Sequence, residues 1–250
     1  MKNITILTRA IAAAALCALS LTAHGASSTV VGFDDGSDGG FVGNAFFEAD
    51  GGNPGGNAHF FVENFGIELR TGGVGEPVNP NFLGDYSSFG DITFSVDVKV
   101  NSLKFGGRQI SRELGIELID NDIQGPDGGS GVFFLLDYIS KATHGDWTTL
   151  SVTIDDPTQD DLPPGWIGFG DFDPNTFAPM LPEGATFATV LAGVDEFRLT
   201  SYQPGFFYGF TDFDVRVDNL AVSVTPAAVP LPGALLLFVT GLIPMLRYRR

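Results

Sequence analysis

Oxygen-rich turns are the residues here whose types and spacing could do chemistry. Asp34-Asp35-Gly36-Ser37-Asp38, Asp120-Asn121-Asp122-Ile123-Gln124-Gly125 and Asp171-Phe172-Asp173-Pro174-Asn175 each crowd carboxylate and carbonyl oxygens into one short turn. Calcium takes about six to eight such oxygens. The second turn has the acids and glycine of an EF-type loop at its first, third and sixth positions, but Gly131 stands at the twelfth, where that loop needs a glutamate. Carboxylate pairs are the other chemistry on offer. Glu117 with Asp120, or Asp171 with Asp173, could cleave a glycosidic bond if a cleft held them at the right separation. Thirty acids in the chain make any nominated pair weak evidence. Other catalytic signatures are missing. The one cysteine, Cys17, lies in an N-terminal apolar run, and HExxH and phosphate-cradling motifs do not occur. The histidines of the body are His59 and His144, and Thr143-His144-Gly145-Asp146 reads as a turn that leaves His144 in solvent. The expectation is a non-enzymatic protein with no cofactor beyond a structural calcium. A secreted carbohydrate-active enzyme, a glycoside hydrolase or lyase using a carboxylate pair, is the alternative.

The elements that must position these turns are strands. Ile92, Phe94, Val96, Val98 and Val100 alternate with polar residues, as do Leu114, Ile116 and Leu118, and Leu150, Val152 and Ile154. A period of two gives a strand one buried and one wet face. Residues 132–139 form a nearly continuous apolar run and predict a more fully buried strand; weaker strand signals cover 29–33, 59–63, 65–70 and 195–199. Clusters of Gly, Pro and Asp punctuate them. Phe213, Val215 and Val217 share one face, and Leu220, Val222 and Val224 share a face one residue out of phase. Either a bulge at Asp218-Asn219 absorbs the extra residue or a turn separates two strands. The predicted fold is all-β: an antiparallel β-sandwich, jelly-roll-like, over residues 27–226, flanked by an N-terminal signal helix and a C-terminal hydrophobic helix.

All 30 acidic residues fall within 27–226 with only eight of the 13 basic ones, so this body carries −22 against −17 for the whole chain. Such a charge repels nucleic acid and anionic membrane surfaces. The 23 phenylalanines supply a core that acidic disordered chains lack. Exposed aromatics are what a sugar-binding surface needs. Trp147, Trp166 and Tyr202 are available, and Gln203-Pro204-Gly205-Phe206-Phe207-Tyr208-Gly209 reads as an aromatic loop whose Phe206, Phe207 and Tyr208 are the candidate glycan contacts.

The two ends are addresses. Lys2 and Arg9 precede an apolar stretch too short to span a membrane stably, and Ala23-His24-Gly25-Ala26 offers signal peptidase a cut after Gly25 or Ala26. Residues 1–26 are therefore expected to be a signal peptide. At the other end, Val229-Pro230-Leu231-Pro232, an apolar segment, and Arg247, Arg249 and Arg250 follow in order. The prolines keep an extended entry, and the arginines hold the end on the cytoplasmic side. Residues 227–250 closely resemble the PEP-CTERM sorting signal of Gram-negative bacteria. The resemblance implies an exosortase as processing partner, transient attachment to the inner membrane, and delivery to the cell surface or extracellular matrix, often beside exopolysaccharide. A retained membrane anchor is the other reading of this tail.

The body carries weaker resemblances. Asn79-Pro80-Asn81-Phe82-Leu83-Gly84-Asp85, Tyr86-Ser87-Ser88-Phe89-Gly90 and the strand from Asp91 resemble the core motif of laminin B (laminin IV type A) domains. Gly32-Phe33-Asp34-Asp35 and Val217-Asp218-Asn219-Leu220 resemble the first and last strands of carbohydrate-binding jelly rolls. In such modules a structural calcium often joins those strands, which implies Asp34 or Asp35 with Asp218 as metal ligands here. The implied ligand of the sandwich is exopolysaccharide.

Overall fold

A computed structural model describes residues 26–126 and 128–227. In chain order its strands are β1 (Ser27–Val31), β2 (Val42–Gly43), β3 (Phe46–Glu48), β4 (Asn57–Asn64), β5 (Glu68–Gly72), β6 (Phe89–Phe105), β7 (Arg108–Gln109), β8 (Arg112–Gly125), β9 (Gly128–Ile139), β10 (Thr148–Ile154), β11 (Trp166–Phe169), β12 (Asp171–Phe172), β13 (Pro179–Met180), β14 (Glu196–Thr200) and β15 (Thr211–Pro226). A five-residue helix, α1 (Phe187–Leu191), starts at a reciprocal cap between Thr186 and Thr189. The predicted all-β sandwich is what the chain forms. The two expected flanking helices, and with them Ala23, Gly25, Val229 to Pro232 and the terminal arginines, lie outside the described residues. Among the described residues no helix is long and apolar enough to cross a membrane.

Two antiparallel sheets face each other. The first runs β10-β6-β15-β4-β3, with β1 also on β15 and β7 on β6; the second runs β11-β9-β8-β14-β5-β2. The alternating residues meet in the middle. Ile92, Phe94, Val96, Val98 and Val100 of β6 and Phe213, Val215 and Val217 of β15 are buried against Leu114, Ile116 and Leu118 of β8 and Phe197 and Leu199 of β14. Burial at roughly 25 cal/mol per Å² of apolar surface is the main force holding the two layers together.

The phase slip in β15 is a bulge. Asp218 pairs with Asp97 and Ala221 with Ser95, so β15 spends one residue more than β6 over that interval. Asn219 absorbs it in the left-handed region at φ 48°, a conformation asparagine tolerates better than most residues. The bulge sits where β15 exchanges one neighbour for another, β4 along 211–217 and β1 along 220–224.

The run 132–139 is less buried than its composition predicts. β11 covers only Gly131 to Phe134, so Leu135 and Leu136 are half-buried and Asp137 and Tyr138 are exposed. His144 is a second correction. It is 2% exposed, not solvated, because its turn folds back onto β6: its carbonyl accepts the Val100 N–H and its Nδ1 lies 2.7 Å from the Thr143 hydroxyl. The segment 79–90 closes one side of the sandwich. Asn79 caps a 3-10 turn at Pro80–Phe82, Phe82 is buried, Gly84 bridges to Val194, and the Tyr86 N–H donates to the Leu191 carbonyl.

Candidate functional site

The outer face of the second sheet carries a row that crosses all its strands and is charged over its three central members. In register, Ile167, Phe133, Glu117, Arg198, Arg70 and Val42 stand side by side on β11, β9, β8, β14, β5 and β2. The alternation that sends Ile116, Leu118, Phe197 and Leu199 inward sends Glu117, Glu196 and Arg198 outward. Arg198 is the hub. Its Nε donates to Glu196 at 2.7 Å, and its Nη1 lies 3.5 Å from Glu117 and 3.9 Å from Glu68. Arg70 pairs with Glu76 at 2.9 Å and approaches Glu68 at 3.8 Å.

Two hollows of about 360 Å³ each flank this row. One is walled by Glu117, Asn121, Phe169, Phe172, Arg198 and residues 202–205. The other is walled by Asn44, Asn64, Glu68, Arg70 and Glu76. Tyr202 lines both, so the two hollows adjoin at this ring and together make up the groove. Tyr202 rests on Gly66: a Cβ there would lie 2.7 Å from the ring carbons, which fixes the ring's height above the sheet. Its hydroxyl approaches the Gly66 carbonyl at 3.4 Å. Phe172 and Tyr202 keep exposed faces on the groove. A concave wall with a few exposed rings and convergent polar groups is the usual make-up of a ligand site.

Glu117 is the electrostatic oddity. Burial pushes its carboxyl up to about 8, Arg198 offsets part of that rise, and Glu68 and Glu196 add to it. A carboxyl of this kind holds its proton at neutral pH and can both donate and accept.

The aromatic loop continues from the groove wall. Phe206 and Phe207 are 62% and 87% exposed. Phe207 and Phe210 pack on Phe65 at 5.5 and 4.0 Å between ring centres, and Tyr208 takes the Arg112 guanidinium over its ring at 5.2 Å. The groove lining ends at Gly205, and Phe206, Phe207 and Tyr208, the candidate glycan contacts, are not part of it.

Neither nominated carboxylate pair lines the groove as a pair. Glu117 lines the outer groove, while Asp120, three residues on, falls on the opposite face of β8 beside Asp122 and Asp195. Asp171 and Asp173 turn back on their own loop: Asp171 accepts the Phe172 N–H, and Asp173 accepts those of Asn175 and Thr176.

The metal candidates gather at two places. Asp34 and Asp218 both reach the turn at 52–56, where Asp34 accepts the Gly56 N–H and Asp218 accepts those of Asn53 and Asn219. Asp218 is fully buried, and that burial raises its carboxyl pKa while those N–H donors pull it back. A Cβ on Gly56 would meet the Phe33 carbonyl oxygen at 2.0 Å and that of Glu48 at 2.9 Å, so carbonyl oxygens border the same corner. Asp35 is exposed, in the left-handed region at φ 57°. The second place is Asp120, Asp122 and Asp195, whose oxygens lie within 4.8 Å of one another. Here the Asp122 and Asn121 N–H groups donate to Asp120 and Asp195.

No family model matches this chain, and no curated protein does. Solved structures resemble it at low identity. The N-terminal CBM22-1-CBM22-2 tandem domain from Paenibacillus barcinonensis Xyn10C is similar at a TM-score of 0.46 and 8% identity, over 83% of this chain and 49% of that one. The chain thus spans about half the length of that tandem. The CBM22-1 xylan-binding domain of the same protein gives 0.45 and 8%, over 83% of this chain and 100% of that one. An exo-beta-agarase gives 0.44 and 14%, over 83% and 26%.

Proposed function

We propose that this is an exported, non-enzymatic protein of the cell surface or extracellular matrix whose sandwich binds polysaccharide in the groove centred on Tyr202. The observation that carries the reading is the groove itself: exposed rings of Tyr202 and Phe172 beside the buried Glu117 and the half-buried Arg198. Rings stack on the apolar faces of sugars, and fixed polar groups read their hydroxyls. A glycan array with the full-length chain in mild detergent tests it. Tyr202→Ala is expected to weaken binding about tenfold or more, the scale of a lost anchoring ring. Binding to no glycan, or binding indifferent to Tyr202, overturns the reading. The raised pKa of Glu117 keeps a second reading in view, a hydrolase with this carboxyl as acid; release of shortened oligosaccharides in the same assays would favour it.

A structural calcium at Asp34 and Asp218 belongs to the proposal, supported by their shared corner and its carbonyl oxygens. The array repeated in chelator and in millimolar calcium reads it, with a loss of binding and of thermal stability in chelator as the expected result. Export rests on residues 1–26 and sorting on the tail. Neutral residues in place of Arg247, Arg249 and Arg250 are expected to impair exosortase-dependent surface delivery while the sandwich folds normally. Unchanged surface delivery of that variant would remove the sorting reading.

A further inference from the structure

The groove is short of positive charge. Glu68, Glu117 and Glu196 stand around the single guanidinium of Arg198 at 3.9, 3.5 and 2.7 Å. The other cation of the two hollows, Arg70, is taken by Glu76 at 2.9 Å and Glu68 at 3.8 Å. Four carboxyl groups thus face two guanidiniums. Glu117 is the least provided for: its side chain is 8% exposed, its nearest cation atom stands at the outer limit of a hydrogen bond, and its carboxyl lines the hollow. A buried carboxyl held by one long contact to a shared guanidinium is costly to keep.

A metal ion does not fit this deficit. Among the described residues no three acidic side chains of this row converge closely enough to cage one; the trio that does, Asp120, Asp122 and Asp195, lies on the other side of β8. The groove carboxyls are instead spread along a wall, at the spacing of a sheet's strands, roughly 4.8 Å apart. Such a wall suits a cation borne on an extended organic ligand. A uronate or sulfate polymer would bring more negative charge to a body that already carries −22 between residues 27 and 226.

We propose that the ligand of this groove is a glycan bearing free amino groups, a hexosamine polymer at least partly stripped of its acetyl groups, with one ammonium seated against Glu117. The inference rests on the groove being the glycan site. An ammonium is compact and donates three hydrogen bonds, so it can engage the Glu117 carboxyl that lines this hollow. An acetylated nitrogen has one donor and no charge. Charge balance adds a signature: an ammonium beside Glu117 favours its ionised form, so binding displaces the carboxyl proton to buffer, and an uncharged sugar displaces none.

Calorimetry on the full-length chain at pH 5.5, where the ligand amines arrive already protonated, in two buffers of different ionisation enthalpy, separates the outcomes. The probes are tetramers of glucosamine, N-acetylglucosamine, galacturonate and xylose, at physiological salt to screen long-range attraction. The glucosamine tetramer is expected to bind about tenfold more tightly than its acetylated counterpart, a difference of ~1.4 kcal/mol, and to release a proton. Glu117→Gln is expected to level the two and abolish the proton release. Asp156→Asn, a charge change on a remote turn, is expected to leave the preference intact. Equal affinities, or a preference that survives Glu117→Gln, would overturn the inference. If xylose or acetylated tetramers bind in a Tyr202-dependent way with no advantage for the amine, the groove reading stands and this inference alone falls. If no tetramer binds, this inference falls, and the glycan array decides the groove reading.

Discussion

Phe197→Ala should cost the sandwich about 3–5 kcal/mol, the range for emptying a buried phenylalanine site. Phe197 is fully buried on β14, and its ring meets Phe94 of the opposite sheet at 5.4 Å in a stacked arrangement. It also meets Phe82 at 5.1 Å and Phe41 at 6.3 Å. These rings come from both sheets and from the segments that close the side of the sandwich, so they cannot all shift to refill one void. Total stabilities of about 5–15 kcal/mol make this a large fraction. The midpoint temperature should fall by roughly 6–20 °C for a domain of this size. Phe207→Ala, at the exposed loop tip, is the matched control and should change stability by no more than ~0.5 kcal/mol. Similar melting curves for the two variants would mean that the two sheets are not joined through this aromatic seam.

Much of that seam was legible in the chain. The period-two runs on β6, β8 and β10 name their own inward faces, and Phe94, Leu114 and Val152 are buried as their positions require. The slip between Val217 and Leu220 announces an irregularity, and the structure resolves it as a bulge because β6 pairs with β15 on both sides of it. The local reading of His144 failed for a tertiary reason. A Thr-His-Gly-Asp turn is polar by composition, but nothing within it tells that it packs back onto Val100.

The groove was not legible, although its members were visible. Glu117, Arg198 and Arg70 each occupy a wet-face position that alternation identifies. Their meeting depends on strand order: β14 lies between β8 and β5, which places Arg198 opposite Glu117 on one side and Arg70 on the other. Sequence periodicity gives the face of a residue and leaves its cross-strand neighbour open. The same principle separates Glu117 from Asp120. Three residues apart in the chain they look like a pair, yet an odd spacing on a strand puts them on opposite faces. Arg198 and Phe172 were missed altogether; the one available signal was the outward polar alternation of Glu196 and Arg198 around Phe197.

The buried carboxyl of that row should leave its mark on stability as a function of pH. Glu117 has an unfolded-state pKa near 4.5 and is pushed up to about 8 by burial in the folded chain, with Arg198 offsetting and Glu68 and Glu196 reinforcing the rise. Below the unfolded value both states carry the proton and the group is neutral in the balance. Between the two values the folded state holds a proton that the unfolded state has lost, so stability falls as pH rises through this window. Above the folded value the full penalty is present, roughly 3–5 kcal/mol from the separation of the two pKa values. Glu117→Gln removes the titration while keeping the shape, and Arg198 retains its 2.7 Å partner Glu196. Urea unfolding at pH 5, 7 and 9 should therefore give nearly equal stabilities for wild type and variant at pH 5, and a variant more stable by a few kcal/mol at pH 9. General repulsion among the other acids acts on both chains and cancels in the difference. Parallel pH profiles would show that Glu117 is solvated in the groove and carries no such penalty. A divergence of the stated sign would mean that the sheet keeps, at a cost to its own stability, a carboxyl that an apolar residue could replace, which is the pattern of a residue retained for a ligand.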